Sequence, residues 1–139
     1  MKPKAIIVDM DGTLCHINKN MENPRKYYDS KRVGEDIIDD SVSVMVNSMS
    51  MCNINIIILT GREDVNNCAK LTEKWLFDNC VKYDLLLLRE HKDHRPGEIV
   101  KKELYEKYVK PFYDVLFAID DMQKIIDMWN SIGIKTLKV

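Results

Sequence analysis

Short apolar segments alternate along this chain with longer segments whose apolar residues recur at helical spacing. The apolar segments are rich in Ile, Val and Leu, which is typical of strands buried on both faces of a sheet. Strands that alternate with helices of roughly 10–15 residues indicate an α/β fold with a central parallel sheet. The predicted strands are Lys4–Val8, Ile54–Leu59, Leu85–Leu88, Val115–Ile119 and Ile134–Val139.

The segments between these strands predict four helices and one small insert. The insert, at about residues 18–34, is polar and is read as a loop. The chain has 139 residues and is 45% hydrophobic, so we expect one domain over residues 1–139 with a single buried sheet. The predicted helices are Asp36–Met51, Val65–Asn79, Pro96–Tyr108 and a stripe through Ile125–Ile132 that Gly133 closes.

Composition excludes several classes of protein. The formal net charge is -1, so no global basic field attracts long nucleic acid or anionic lipid. No apolar run approaches the roughly 20 residues of a membrane helix, and nothing at the start resembles a removable leader. The four cysteines show no C-x-x-C spacing and are interpreted as free thiols. We therefore expect a soluble, cytoplasmic protein without a membrane partner.

Three of the predicted strands end in polar residues that are suited to chemistry. These are Asp9-Met10-Asp11-Gly12-Thr13, Thr60-Gly61-Arg62 and Asp120-Asp121. Ligands of open parallel sheets bind beyond the carboxyl ends of the strands, where the strand order switches. The three sets are therefore expected to meet at one site.

The first set offers a nucleophile and a proton carrier. Asp9 at the strand tip could attack a substrate, while Asp11 could deliver and recover a proton. Gly12 permits close approach of the backbone, and amide groups in the turn can hold phosphate oxygens. A calcium loop or a solvated turn is the alternative for these residues alone, although the later acidic positions of a calcium loop are missing.

Asp120 and Asp121 bring further negative charge to the same point. Several converging carboxylates repel one another unless a cation lies among them, and a hard, oxygen-liganded Mg²⁺ is the simplest cation. Taken alone, this pair could equally be a helix cap with an acid in the first turn.

These segments resemble the four ordered motifs of the haloacid dehalogenase (HAD) superfamily of phosphatases, with a downstream lysine as the third. Within that superfamily the chain is most similar to 3′-phosphatase domains of the bacteriophage polynucleotide kinase/phosphatase type. The resemblance implies a three-layer, Rossmann-like fold with only a minimal cap insert. Its further points of similarity are Lys2–Ala5, Thr60–Glu63, Val100–Glu103, Ala118–Asp121 and Met128-Trp129.

The resemblance implies a role for each matching position. Asp9 would form an aspartyl-phosphate, and Asp11 would protonate the leaving hydroxyl and then activate water. Thr60 would bind the transferring phosphoryl group, and Lys101 would neutralise it. Mg²⁺ would be held by Asp9, the backbone carbonyl of Asp11, Asp120 and Asp121. Gly61, Arg62 and Arg25 would bind the substrate.

Two departures from the family pattern bear on substrate choice. Gly97 stands where the phage enzymes have an acid that supports the lysine, so either the adjacent Glu98 replaces it or Lys102 is the working lysine. Met122 replaces an arginine. Arg25 could instead be a solvated loop charge, and Arg62 could pair with Glu63 or Asp64.

For other polar and aromatic residues the sequence supports less specific interpretations of their role. His91, Asp93 and His94 could bind zinc, although a charged lip beside the cleft is the favoured interpretation. Tyr27 and Tyr28 could stack on bases. Trp75 and Trp129 lie on apolar helical stripes and are expected in the core.

The leading hypothesis is a Mg²⁺-dependent phosphatase that removes 3′-phosphates from nucleic-acid ends or nucleotides. The chain has no G-x-x-x-x-G-K-[ST] segment, so no kinase domain is expected within it. One alternative is a phosphatase of nucleotides or sugar phosphates, with homo-oligomer contacts closing its site. The other is a phosphate-binding domain without catalysis.

Overall fold

The computed structural model describes every residue from Met1 to Val139. Short stretches of 3₁₀-helix (Ser30–Glu35) and π-helix (Tyr105–Val109) supplement the regular elements. The strands are β1 (Lys4–Val8), β2 (Cys15–His16), β3 (Ile37–Ile38), β4 (Asn55–Glu63), β5 (Leu85–Arg89), β6 (Asp114–Asp120) and β7 (Thr136–Lys138). The α-helices are α1 (Asp40–Met51), α2 (Cys68–Asp78), α3 (Gly97–Leu104) and α4 (Gln123–Ser131).

Five of the strands form one parallel sheet in the order β5, β4, β1, β6, β7. The predicted α/β class with a central parallel sheet is therefore confirmed. β1 lies in the middle of the sheet. The chain first adds β4 and β5 on one side of β1 and then adds β6 and β7 on the other side. The strand order thus switches at the carboxyl end of β1, directly before Asp9.

Side chains of β1 alternate between two apolar layers, as expected for a strand buried on both faces. Ile6 and Val8 pack with residues of α1 and α2, among them Trp75. Ile7 packs on the opposite face with residues of α4, among them Trp129. Both tryptophans are buried, so their predicted place in the core is confirmed.

Several predicted boundaries were wrong, and two of the differences have a clear local reason. The first helix begins at Asp40 rather than Asp36, because Asp39 caps it by accepting a hydrogen bond from the Val42 amide at 3.0 Å. β4 runs on through Thr60-Gly61-Arg62 to Glu63 instead of ending at Leu59. The second helix begins at Cys68, since Asn66 and Asn67 adopt positive φ.

The residues before α1 form a small two-stranded antiparallel sheet rather than a helical turn. β3 pairs with β2, so that Cys15 lies opposite Ile38. This pairing closes the insert between β1 and α1 and directs Asp36 inward. No helix in the structure combines the length and the apolar character that a bilayer span requires.

Candidate active site

A cleft of about 300 Å³ lies at the carboxyl ends of the central strands. It contains the residues that follow β1 and β6 together with the end of β4, as strand topology predicts. Residues from α3 and from the insert complete it. Its polar lining comprises Asp9, Asp11, Tyr27, Arg62, Arg89, Glu98 and Lys101.

Lys101 joins the first and last motifs at the base of this cleft. Its Nζ donates to Asp9 Oδ1 and to Asp120 Oδ2, each at 2.8 Å. All three residues are buried. Burial alone would lower the pKa of Lys101, but the two carboxylates raise it above its ordinary value, so the ammonium group stays charged.

Asp9 and Asp120, together with Asp121, form an acidic cluster that suits a cation. Ligand oxygens of Asp9, Asp120 and Asp121 all lie within 4.8 Å of one another. Burial and the neighbouring Asp120 carboxylate together raise the pKa of Asp9 to about 7, against the opposing effect of Lys101. Three acids facing one ammonium leave uncompensated negative charge, and an all-oxygen donor set fits Mg²⁺. The donor set is therefore compatible with the predicted metal site.

The turn after Asp9 holds this cluster together. The buried Thr13 hydroxyl lies 3.2 Å from both Asp9 Oδ2 and Asp121 Oδ1. Gly12 adopts φ +82, and a Cβ at that position would overlap the Asp121 carboxylate. Glycine is therefore required both by the backbone and by the close approach of the two motifs.

Asp11 lies at the mouth of the cleft between two arginines. Arg62 donates to both of its oxygens at 2.9 Å, and Arg25 donates at 3.0 Å. Partial burial alone would raise the pKa of Asp11, but hydrogen bonds and charge from these arginines lower it. Asp11 is thus held as a carboxylate, the form that can accept a proton from water.

Both arginines also bind a second carboxylate, Asp36. Arg25 donates to Asp36 at 2.6 and 2.7 Å, and Arg62 donates at 2.9 Å. Two guanidinium groups and the two carboxylates of Asp11 and Asp36 therefore form one balanced cluster. The alternative of a solvated Arg25 was wrong. Arg62 does form the internal ion pair that was its alternative, but with Asp11 and Asp36 instead of Glu63 or Asp64.

The contacts of Arg25 favour a positioning role over substrate binding. Its five N–H groups meet Asp11, two oxygens of Asp36, and the carbonyls of Lys26 and Tyr27. No N–H is left for a substrate in this conformation. Arg62 does line the cleft.

Residues at the end of β4 lie behind and beside the cleft. Thr60 is fully buried, and its hydroxyl oxygen accepts a hydrogen bond from the Arg62 amide at 3.2 Å. Gly61 lines the cleft, and its carbonyl accepts from Arg89 Nε at 2.7 Å. Phosphoryl binding by Thr60 and substrate binding by Gly61 stay predictions.

Geometry distinguishes the two candidate lysines. Lys102, the neighbour of Lys101, is exposed on the outer face of α3. Glu98 lines the cleft but forms no ion pair with Lys101, whose partners are Asp9 and Asp120. Met122 lines the cleft and is exposed.

The charged loop after β5 satisfies its own side chains. His91 Nδ1 lies 3.1 Å from Glu63, and Asp93 pairs with Arg95. His94 lines a neighbouring groove. These contacts favour the predicted lip over the zinc alternative.

Sequence reasoning missed Asp36 and Arg89. Asp36 was assigned to a helix, and only the adjacent Ile37-Ile38 pair signalled a strand. Arg89 ends β5 at the same edge of the sheet as the other site residues. The strand-end rule that identified Asp9 and Asp120 would have identified Arg89 as well.

The parallel sheet and its flanking helices form a HAD-like fold. A D,D-heptose 1.7-bisphosphate phosphatase from B. bronchiseptica, solved with magnesium and phosphate, matches with a TM-score of 0.61 and 14% identity. That match covers 96% of this chain and 78% of the other. A HAD-superfamily hydrolase from Ehrlichia chaffeensis matches with a TM-score of 0.58 and 18% identity, covering 99% and 87%. At these identities the likeness concerns the fold.

The family model of the polynucleotide kinase PNKP phosphatase domain matches residues 3–139, and the chain belongs to this family. Two structures of a Pnkp1/Rnl/Hen1 complex, one described as an RNA repair complex, match with TM-scores of 0.90 and 0.89 at 32% identity. Each match covers 99% of this chain. A protein of Autographa californica nuclear polyhedrosis virus, provisionally named a bifunctional polynucleotide kinase/RNA ligase, is 28% identical over 97% of this chain.

These relatives are much longer than the chain. It spans 19% of the length of the viral protein and 42% and 46% of the two chains in the repair complexes. The likeness therefore concerns one part of each relative.

Proposed function

We propose that residues 1–139 form a single Mg²⁺-dependent phosphatase domain that removes 3′-phosphates from nucleic-acid ends through an aspartyl-phosphate. The observation that carries this proposal is the contact of Lys101 Nζ with both Asp9 and Asp120 at 2.8 Å. An ammonium at that point lies where it neutralises an incoming phosphoryl group beside the nucleophile.

In the first step a carboxylate oxygen of Asp9 attacks phosphorus. A bond forms between that oxygen and phosphorus as the bond from phosphorus to the 3′-oxygen breaks. The leaving oxygen takes a proton from Asp11 and departs as a hydroxyl. In the second step water gives a proton to Asp11 and attacks phosphorus, which releases inorganic phosphate and restores the Asp9 carboxylate.

The arginine contacts suit Asp11 to the second of these steps. Its pKa is lowered, so the free site holds the base form. A phosphate dianion that enters the cleft competes for the N–H groups of Arg62, which lines the same cleft. Each hydrogen bond that Asp11 loses in this way raises its pKa toward the protonated form that the first step needs.

The donor set proposed for Mg²⁺ consists of side chains of Asp9, Asp120 and Asp121 with the backbone carbonyl of Asp11. A bound Mg²⁺ supplies positive charge for the phosphoryl oxygens. Within this set the Thr13 hydroxyl orients Asp9 and Asp121 toward each other.

A nucleic-acid end is the substrate class that family and shape support. The family is that of the polynucleotide kinase phosphatase domain, and the matching Pnkp1/Rnl/Hen1 structure is described as an RNA repair complex. The insert over the cleft is short, so the cleft accepts the terminus of a strand. RNA ends are therefore the first substrates to test.

The test measures phosphate release with Mg²⁺ from 3′-phosphorylated RNA, 5′-phosphorylated RNA and a sugar phosphate. We expect preference for the 3′-phosphorylated strand and loss by at least about 10³-fold in Asp9→Asn. Lys101→Met should lose a similar factor, whereas the matched control Lys102→Met, one residue along α3, should retain activity. Preference for the sugar phosphate would contradict the proposed substrate, and activity that survives Asp9→Asn would contradict the covalent route.

A further inference from the structure

Two adjacent aromatic side chains, Tyr27 and Tyr28, stand exposed beside the active-site cleft. They are 84% and 72% exposed, although large aromatic rings normally bury most of their surface. Their rings meet edge to face with centroids 5.3 Å apart. In this contact the edge of one ring meets a face of the other, so at least one face of each ring stays open.

The backbone of Tyr27 is tied to the catalytic network. Arg25 Nη1 donates to the Tyr27 carbonyl at 3.2 Å and to the Lys26 carbonyl at 3.0 Å. The same guanidinium, 4% exposed, binds Asp11 and Asp36. The position of Tyr27 is therefore fixed relative to the proposed proton carrier, and only its side chain projects from this anchor.

Tyr27 stands where three concave surfaces meet. It lines the cleft that contains Asp9 and Lys101. It also lines a groove of about 430 Å³ that contains Arg62, Arg89 and His94, and a second groove of about 510 Å³ beside Lys19. Tyr28 lines only the groove with Arg89. Tyr27 is thus one of the residues that a leaving group attached to a phosphate in the cleft would meet.

The charge around Tyr27 favours an anionic strand on this path. The groove that Tyr27 shares with Arg62 also contains Arg89, whose N–H groups donate only to backbone carbonyls of Gly61, Asp93 and Arg95. No carboxylate forms an ion pair with that guanidinium. An exposed aromatic ring beside a cation without a carboxylate partner is the arrangement that binds single-stranded nucleic acid by stacking and charge.

We propose that Tyr27 forms a nucleobase subsite, in which its ring stacks on the base of the nucleotide that carries the 3′-phosphate. This inference rests on the proposed function and adds a determinant of specificity to it. A sugar phosphate has no π face for Tyr27, so the subsite favours nucleotide esters over other phosphomonoesters. Tyr27 touches the leaving group and not the phosphoryl group.

The test compares two RNA strands that differ only in their last residue. Both end in a 3′-phosphate, but in one strand the terminal residue is abasic. Wild-type protein should show a kcat/KM about 5- to 100-fold higher for the strand with the base, the range that stacking on one aromatic ring supplies. Tyr27→Ala should bring this ratio close to one by lowering kcat/KM far more for the strand with the base than for the abasic strand, whereas Tyr27→Phe should preserve the ratio.

Tyr28→Ala is the matched control, because Tyr28 is equally exposed and adjacent but does not line the cleft. It should change the ratio far less than Tyr27→Ala. A strand ending in 2-aminopurine, bound without Mg²⁺, gives a second measurement. Its fluorescence should be quenched by wild type and by Tyr27→Phe more strongly than by Tyr27→Ala.

The outcomes separate this inference from the proposed function. Equal losses on both strands in Tyr27→Ala would overturn the subsite and indicate a structural role for the ring. An unchanged base preference in Tyr27→Ala would overturn the subsite too. In that case cleavage of both strands would still support the proposed 3′-phosphatase activity. Failure of wild type to cleave either strand, with cleavage of sugar phosphates, would overturn both.

Discussion

Replacing Asp36 by asparagine should destabilise the protein strongly, because it removes the charge of a buried carboxylate that pairs with two arginines near the cleft. The Asp36 side chain is 1% exposed and accepts from Arg25 at 2.6 and 2.7 Å and from Arg62 at 2.9 Å. Asparagine keeps the shape but removes the charge and turns an amide group toward a guanidinium. Asp11 then remains as the one carboxylate facing two buried cations.

The magnitude follows from the number of charges left unpaired. Removing one partner of a buried ion pair costs about 3–5 kcal/mol. That is a large part of the roughly 5–15 kcal/mol by which a domain is stable. At this chain length the loss corresponds to a fall in Tm of about 10–15 °C.

Urea denaturation monitored by tryptophan fluorescence measures this loss, since Trp75 donates its indole N–H to the Asp36 backbone carbonyl at 2.7 Å. Asp40→Asn is the control, because Asp40 is exposed in the first turn of α1 and should change stability by less than about 1 kcal/mol. In the double variant Arg25→Gln, Asp36→Asn, part of the loss should be recovered. A loss below about 1 kcal/mol in Asp36→Asn, or purely additive effects in the double variant, would refute the balanced-cluster argument.

Two further predictions concern the turn after β1 and the start of α1. Gly12→Ala should lose more than about 1 kcal/mol and weaken Mg²⁺ binding, because Gly12 has φ +82 and a Cβ there would displace Asp121. Gly34→Ala is the control, because a Cβ there would meet nothing within 4 Å. Equal losses in Gly12→Ala and Gly34→Ala would contradict the argument from Asp121. Hydrogen bonds from His16 and from the Val42 amide lower the pKa of Asp39 to about 2. The stabilisation that the Asp39 carboxylate provides is therefore complete above about pH 4 and is lost as the pH falls through about 2. Asp39→Asn, which still caps a helix, should flatten the dependence of unfolding free energy on pH in that window, and identical slopes would argue against the pairing.

The sequence predicted the sheet and its edge because those features depend on local pattern. Ile6 and Ile7 are buried on opposite faces of the sheet. The apolar run of β1 stops at Val8, directly before Asp9. Asp9 and Asp120 meet because parallel strands bring their carboxyl ends to one edge. Pattern and topology were sufficient for these two residues, whereas Lys101 lies on α3 and was expected only from the resemblance to the family.

The Asp36 cluster could not be predicted in the same way because it depends on pairs distant in sequence. Arg25 lies in an insert without regular periodicity, and Arg62 comes from a different strand. Their shared partner, Asp36, precedes a helix and looked like part of it. The pairing of Cys15 with Ile38 turns Asp36 inward, and its one sequence signal, the Ile37-Ile38 pair, fits the apolar stripe of a helix equally well.

Gly97, one of the two departures from the pattern that the resemblance implies, lies beside Arg89. A side chain at Gly97 would begin 3.8 Å from Arg89 Nη2, so an acid at that position would pair with Arg89 more readily than with Lys101. Lys101 keeps Asp9 and Asp120 as partners without such an acid. Glycine at position 97 therefore leaves Arg89 with its full positive charge beside the cleft. The cleft therefore keeps one arginine without an ion-pair partner, although Met122 on the same cleft is uncharged.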